Sequence, residues 1–303
     1  MYDTIIIGSG SAGLSAAVYA KRAQLNAVVI EKEYMGTGQI AVSERVDNYL
    51  GLYGESGFDL GEKFRQHAEA LGAEFVEGEV TAIEKSGIGY KIILSDERTF
   101  ETKTVVFAAG ARPRTLDIKG EDEFSGKGVS YCAVCDGAFY KNKITAVIGG
   151  GDTALEDALF LSKICETVYL IHRRNEFRAN KTLQNAVRSK ENIRLVLNAK
   201  PFEILGDGKV SGIKISQDGE EKFIELNGIF TAVGTVPNSS ALNGVAELDE
   251  RGYVIADETG VTSAKGIFAA GDVRTKQLRQ VSTAVADGAN CIYSAERYIS
   301  ESE

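Results

Sequence analysis

Cys132 and Cys135 stand two residues apart in the stretch Tyr131-Cys132-Ala133-Val134-Cys135-Asp136-Gly137. That spacing sets both sulfurs on one turn, where they can close a small disulfide and open it again. A helix start or a nearby positive field there can lower one thiol pKa enough to make it a nucleophile. A zinc site is the competing use of such a pair, and it needs two more ligands. Cys165 and Cys291 are isolated, and His67 and His172 have no partner at ligand spacing. The pattern favours dithiol redox chemistry with no metal. Cys165 and Cys291 read as small buried hydrophobes on apolar helix faces.

A redox disulfide needs a source of electrons, and a glycine turn lies on either side of this one. Thr4–Ile7 is a short β-rich run that ends at Gly8-Ser9-Gly10-Ser11-Ala12-Gly13 and passes into the alanine-rich, apolar-periodic Leu14–Arg22. The glycines permit a tight turn, close approach to a pyrophosphate and packing of helix on strand, while the helix N-terminus offers N–H groups and partial positive charge. A second strand, Ala27–Ile30, ends on Glu31 at the spacing expected for the acid that binds a ribose hydroxyl. The same unit returns as Thr145–Ile148, Gly149-Gly150-Gly151-Asp152-Thr153-Ala154 and Leu155–Lys163, with alanine in the permitted last position. Gly149 lies 141 residues after Gly8, and the same offset carries Glu31 to His172. There the chain reads His172-Arg173-Arg174, with Arg178 beyond. A cationic cluster in place of the acid suits a phosphorylated ribose and points to NADP(H) over NAD(H); the alternative is a solvated basic face.

Each unit is followed by what reads as a β-meander and a buried return strand. In the first half these are Glu74–Glu84, Tyr90–Ser95 and Val105–Ala109, ending at Gly110; in the second, Ile193–Ala199, Val210–Ser216, Lys222–Glu225 and Ile229–Val233, ending at Gly234. Pro113 and Pro237 follow the two return strands as candidate hinges. A further strand, Gly266–Ala270, leads through Gly271-Asp272 to an amphipathic helix from about Thr283 to Tyr298. The sequence predicts an α/β fold of two Rossmann-like, three-layer dinucleotide-binding domains, the first built from 1–115 and 244–303, the second inserted as 116–243 and carrying the cysteines.

At 303 residues and 44% hydrophobic content the chain can bury the cores of about two domains. The 34 basic and 43 acidic residues leave a net charge of −9, which disfavours nucleic-acid or anionic-membrane partners. No apolar run reaches membrane-spanning length, and the N-terminus lacks the features of a signal peptide. Four cysteines with only two closely spaced suit a reducing compartment and a transient catalytic disulfide, so a cytoplasmic location is expected.

Nicotinamide gives up a hydride, whereas a disulfide is reduced by thiolate exchange. A flavin joins the two, so the first glycine turn is better filled by FAD than by a second nicotinamide. Through GSGSAG, Gly38-Gln39, Val46-Asp47-Asn48-Tyr49, CAVCDG, GGGDTA, HRRNEFRA and GIFAAGDV with Arg279-Gln280, the chain resembles, over essentially its whole length, the low-molecular-weight bacterial-type thioredoxin reductases, class II pyridine nucleotide-disulfide oxidoreductases. The larger glutathione-reductase type is less similar, since its cysteine pair lies early in the FAD domain.

The resemblance implies that Gly8, Gly10, Ser11, Ala12, Gly13, Glu31, Lys32, Gly38, Gln39, Asn48, Ala109 and Gly110 line FAD, with Val80 near the adenine. Gly271 and Asp272 would meet the ribityl chain, and Arg279, Gln280 and Val281 the isoalloxazine and phosphates. Gly149, Gly151, Asp152, Thr153, Ala154, His172, Arg173, Arg174 and Arg178 would hold NADPH, with Arg114 and Gly234 close by. Cys135 would face the flavin, Cys132 would attack the disulfide of a thioredoxin-like partner, and Asp136 would move protons to and from the dithiol. Ala109 stands where the family commonly has threonine. The resemblance also implies a homodimer. Disulfide and nicotinamide site fall in one domain while the flavin falls in the other, so rotation of the inserted domain is expected to present them in turn.

Overall fold

The computed structural model describes residues 1–33, 36–43 and 45–302. The chain divides into two compact units: Met1–Ser43, Tyr49–Arg112 and Val236–Glu303 form one, Glu44–Asn48 and Pro113–Thr235 the other. Among the described residues no helix is long and apolar enough to cross a membrane.

In the first unit β1 (Tyr2–Ile7), α1 (Ser11–Arg22) and β2 (Ala27–Glu31) form the expected strand–turn–helix–strand. The chain continues through α2 (Gly57–Ala70), β3 (Glu74–Glu77), β4 (Val80–Ser86), β5 (Gly89–Leu94) and β6 (Thr99–Phe107). Strand β3 pairs in parallel with β2, so Glu74–Glu84 is two strands broken at Gly78-Glu79 and not one meander arm. Strand β6 is longer than its apolar part suggested: Thr99–Thr102 pairs antiparallel with β5, and Thr104–Phe107 parallel with β1. It thereby joins the meander to the parallel sheet.

The strands Ala111–Pro113 (β7) and Thr235–Pro237 (β16) pair with each other at the two chain crossings. Between them run β8 (Val129–Ser130), α3 (Ala133–Asp136), β9 (Ile144–Gly149), α4 (Asp152–Leu161), β10 (Thr167–Ile171), α5 (Lys181–Arg188) and β11 (Ile193–Val196). A meander of β12 (Ala199–Asp207), β13 (Lys209–Gln217) and β14 (Glu220–Glu225) follows, then β15 (Gly228–Ala232). The parallel sheet runs β11-β10-β9-β15-β8. Ile193–Ala199 is accordingly two elements, a sheet strand and the start of the meander. After β16 the chain returns to the first unit, where β17 (Ile267–Ala269) pairs in parallel with β6 and α6 (Val281–Ser302) closes the chain.

Period-two side-chain alternation explains the three layers of each unit. In β1, Ile5 and Ile7 face the meander with Ile83, Ile92 and Leu94, while Ile6 faces the helices with Leu14, Ala16 and Ile292. In the second unit Ala146 and Ile148 face Ile204, Ile213 and Ile215 of the meander, while Val147 faces Leu155, Ala158 and Leu161 of α4. Strands apolar on both faces are thus covered twice, and the glycine turns begin at the C-terminal ends of β1 and β9.

Candidate redox site

The dithiol turn starts where β8 leaves the sheet. Ser130 is paired with Phe230 of β15, Tyr131 turns the chain, and Cys132 is the extended N-cap of α3, its Sγ accepting the Cys135 N–H at 3.2 Å. The two sulfurs are bonded at 2.12 Å with Cα atoms 5.3 Å apart. Both cysteines are half-buried, and Val134 between them is 49% exposed, so the turn faces outward. Asp136 is held to this turn. Its Oδ2 accepts the Ser130 hydroxyl at 2.6 Å, its N–H donates to the Cys132 carbonyl at 3.1 Å, and the Cys132 N–H donates to Ser130 Oγ at 3.1 Å. On the other side, Tyr131 donates to buried Glu121, which also accepts the Leu116 and Asp117 amides. Burial and the Glu121 charge push the Tyr131 phenol well up.

In the same unit, Gly151 caps α4 without a side-chain partner, leaving first-turn N–H groups for an anion. Thr153 is exposed at that turn. The Asp152 carboxylate accepts from Asn180 N–H at 2.8 Å and Nδ2 at 3.2 Å, tying the helix start to the segment after Arg178. His172 lies under the turn: a Cβ on Gly150 would come within 2.2 Å of its ring, which stacks on Phe177. Burial, then the three nearby arginines, hold its pKa down, and its Nε2 lies 3.1 Å from Glu176 O. It supports the loop as a neutral ring. Arg173, Arg174 and Arg178 are exposed, and none has an ion-pair partner among the described residues; the Arg178 N–H donates to Gly150 O at 2.8 Å, which keeps it beside the turn. Arg114 and Gly234 meet through a 2.9 Å backbone hydrogen bond. Asp157, on α4 one turn past Thr153, is an acid that the sequence did not single out; burial and then Glu156 push its carboxyl up to about 7.

In the first unit Gly8 takes φ +100°, and a Cβ there would sit 2.5 Å from Ala108 O, so only glycine allows β1 to turn against β6. Gly10 caps α1 with no side-chain partner. Glu31 closes on this turn: Oε2 accepts from Ser9 N–H at 2.7 Å and Ser9 Oγ at 2.9 Å, and Oε1 from Glu33 N–H at 3.2 Å. Gly38 comes against Gly10, and Gly271 against Ala12, so these four positions share one neighbourhood. Gln39 and Lys32 are exposed nearby in sequence, and a cavity of about 820 Å³ opens beside Lys32, Glu77, Gly78 and Arg98, just before Val80. Asn48 is exposed outside any helix or strand. Ala109 and Gly110 are held by Asn238, through 2.9 and 3.0 Å bonds to their carbonyls. Arg279 stacks over Tyr253 and donates to the Arg274 and Lys276 carbonyls, next to Gln280 and the start of α6 at Val281.

Residues 2–288 match the family described as pyridine nucleotide-disulphide oxidoreductase. The chain belongs to that family. It is 40% identical over 304 residues to a thioredoxin reductase of Listeria monocytogenes, covering 99% of this chain and 95% of that one. A crystal structure of thioredoxin reductase from Streptococcus pyogenes superimposes with a TM-score of 0.95 at 38% identity, over 99% of both chains. Lactococcus lactis thioredoxin reductase in an FR conformation, 39% identical over 99% of this chain and 100% of that one, scores 0.68.

Membership in the pyridine nucleotide-disulphide oxidoreductases makes the chain an oxidoreductase with flavin and nicotinamide cofactors. The first unit fits a flavin on its own chemistry. Asp272 Oδ1 is buried with no hydrogen-bond partner among the described residues, an acceptor that a ligand hydroxyl would satisfy. Burial raises the Asp272 pKa against the pull of Lys276 and Arg279. Beneath it lies a cluster that the sequence did not reveal: Asp287 accepts from Arg274 at 2.7 and 2.9 Å, Lys276 at 2.8 Å and Gly271 N–H at 2.9 Å, with all three side chains 6–7% exposed. Asp287 stays ionised because these bonds outweigh its burial. The only sequence signal was a charged Arg-Thr-Lys just past an apolar strand end.

Proposed function

We propose that this oxidoreductase uses NADPH to reduce the disulfide of thioredoxin or a thioredoxin-like protein, with FAD as its flavin. The observation that carries the reading is the bonded Cys132–Cys135 pair with Asp136 hydrogen-bonded into its turn, in the unit whose glycine turn is flanked by three arginines without ion-pair partners among the described residues. Charged donors with no protein acceptor suit a ribose phosphate, which supports NADPH over NADH. The flavin, when bound, supplies the conversion of a nicotinamide hydride into an electron pair for a sulfur. Its binding domain is 1–115 with 244–303; 116–243 binds NADPH and carries the dithiol.

The exchange itself belongs to residues of the chain. In the reduced state Asp136 takes the Cys132 proton, and Cys132 Sγ attacks one partner sulfur; the partner S–S bond breaks, a mixed disulfide forms, and the leaving thiolate takes up a proton. Cys135 then attacks Cys132 Sγ, the mixed disulfide breaks, and the second partner thiol leaves protonated. The intramolecular disulfide is restored and two electrons have passed to the partner.

Rotation of the inserted domain brings dithiol and nicotinamide to the flavin in turn. The gap between the scores 0.95 and 0.68, at 38% and 39% identity, supports rigid-body variation among such proteins, because equal divergence does not produce it. A cytoplasmic homodimer completes the proposal. The test is Cys132→Ser: NADPH should still bleach the flavin while transfer to thioredoxin is abolished, and transfer near the wild-type rate would defeat the assignment.

A further inference from the structure

We propose that Ser130 is the positioning residue for proton transfer at the dithiol, an inference that rests on the role assigned above to Asp136. Ser130 is 6% exposed and sits at the last pair of β8 with β15, so its hydroxyl is fixed by the parallel sheet and not by the turn that opens and closes. The hydroxyl has one proton. It is given to Asp136 Oδ2 at 2.6 Å; the Cys132 carbonyl, 3.4 Å away, is the weaker acceptor. The oxygen in turn accepts the Cys132 N–H at 3.1 Å. One atom therefore holds both the backbone of the attacking cysteine and one oxygen of the carboxylate.

The consequence for exchange is geometric. With Oδ2 and the Cys132 backbone tied to the same oxygen, the carboxylate keeps one orientation toward that cysteine, so proton transfer has one geometry whenever Cys132 is freed or a thiolate leaves. Tyr131, tied to Glu121 at 3.2 Å, keeps the intervening residue from rotating and holds Ser130 and Cys132 in this relation. Among the described residues Ser130 forms no bond to sulfur; it holds the Cys132 backbone and acts on the proton through Asp136.

The test compares Ser130→Ala, Asp136→Asn and the double variant as flavin-loaded protein, with oxidised thioredoxin as substrate. Ser130→Ala should lower kcat for thioredoxin reduction by about tenfold, the scale of one charge-assisted hydrogen bond, without moving KM for thioredoxin or the rate of flavin reduction by NADPH. In the Asp136→Asn background the same change should have no further effect. Ser130→Gly, which also lacks the hydroxyl, repeats the comparison if the alanine variant does not accumulate. Losses that multiply in the double variant, or a wild-type kcat for the single one, overturn the proposal. A wild-type rate for Asp136→Asn also overturns it, yet leaves the dithiol reading standing, because that is tested separately by Cys132→Ser.

Discussion

Replacing Asp157 by asparagine should stabilise the protein in neutral solution and not in acid. The carboxyl lies on α4 in the second unit, with no hydrogen bond or ion pair among the described residues, and burial followed by Glu156 raises it from 3.8 to about 7. A folded-state value above the unfolded one means that the native protein holds more protons than the unfolded chain between about pH 4 and 7. Stability therefore falls as pH rises through that window, opposite to the behaviour of a salt-bridged aspartate. At ~1.4 kcal/mol per pH unit the ionised carboxylate opposes folding by roughly 4 kcal/mol, and partial solvent access brings this to about 2–4 kcal/mol. Asparagine keeps the shape and removes the charge. Thermal unfolding of flavin-loaded wild type and Asp157→Asn at pH 5 and pH 8 reads the difference: at ~2–4 °C per kcal/mol the variant should gain roughly 5–10 °C at pH 8 and much less at pH 5. A gap that is the same at both pH values would exclude a destabilising charge at Asp157.

Neutralising Arg173 and Arg174 should lower the NADPH/NADH ratio of kcat/KM by one to two orders of magnitude, mostly through KM for NADPH, because each exposed guanidinium contributes about 1 kcal/mol or more; an unchanged ratio would return them to a solvated face. Asp272→Asn should weaken flavin retention about tenfold, read as flavin released on dilution, since the amide can no longer accept at both oxygens. Locking the two domains with one engineered cysteine on each should preserve one half-reaction and stop the other, and a lock that leaves both at normal rate would exclude rotation.

Much of the fold could be read because short apolar runs ended on glycine turns and repeated at a fixed offset. The repeat located His172 correctly as the counterpart of Glu31, but the side chain at that position supports Gly150 from below, a packing role that spacing does not encode. Alternation continued across Gly78-Glu79 and merged β3 with β4; which partner a strand pairs with depends on contacts distant in sequence, as β3 with β2 shows. Helix α2 was given no bounds because its surface is largely charged, although Ser56 capping Asp59 N–H is a legible start signal. At the site, Cys132, Cys135 and Asp136 were visible as a motif. Ser130, two residues upstream, was not, because a serine before a cysteine carries no information until a strand fixes where its hydroxyl points. The Arg274–Asp287 pair spans 13 residues and a turn, and Asp157 looks like any helix acid until its burial is known.

The most direct test is an anaerobic assay in which NADPH oxidation and thiol formation on a thioredoxin substrate are measured together. Two new thioredoxin thiols should appear for each NADPH consumed, and none when Cys132 is serine. NADPH consumption without thioredoxin thiols would contradict electron transfer through the Cys132–Cys135 pair.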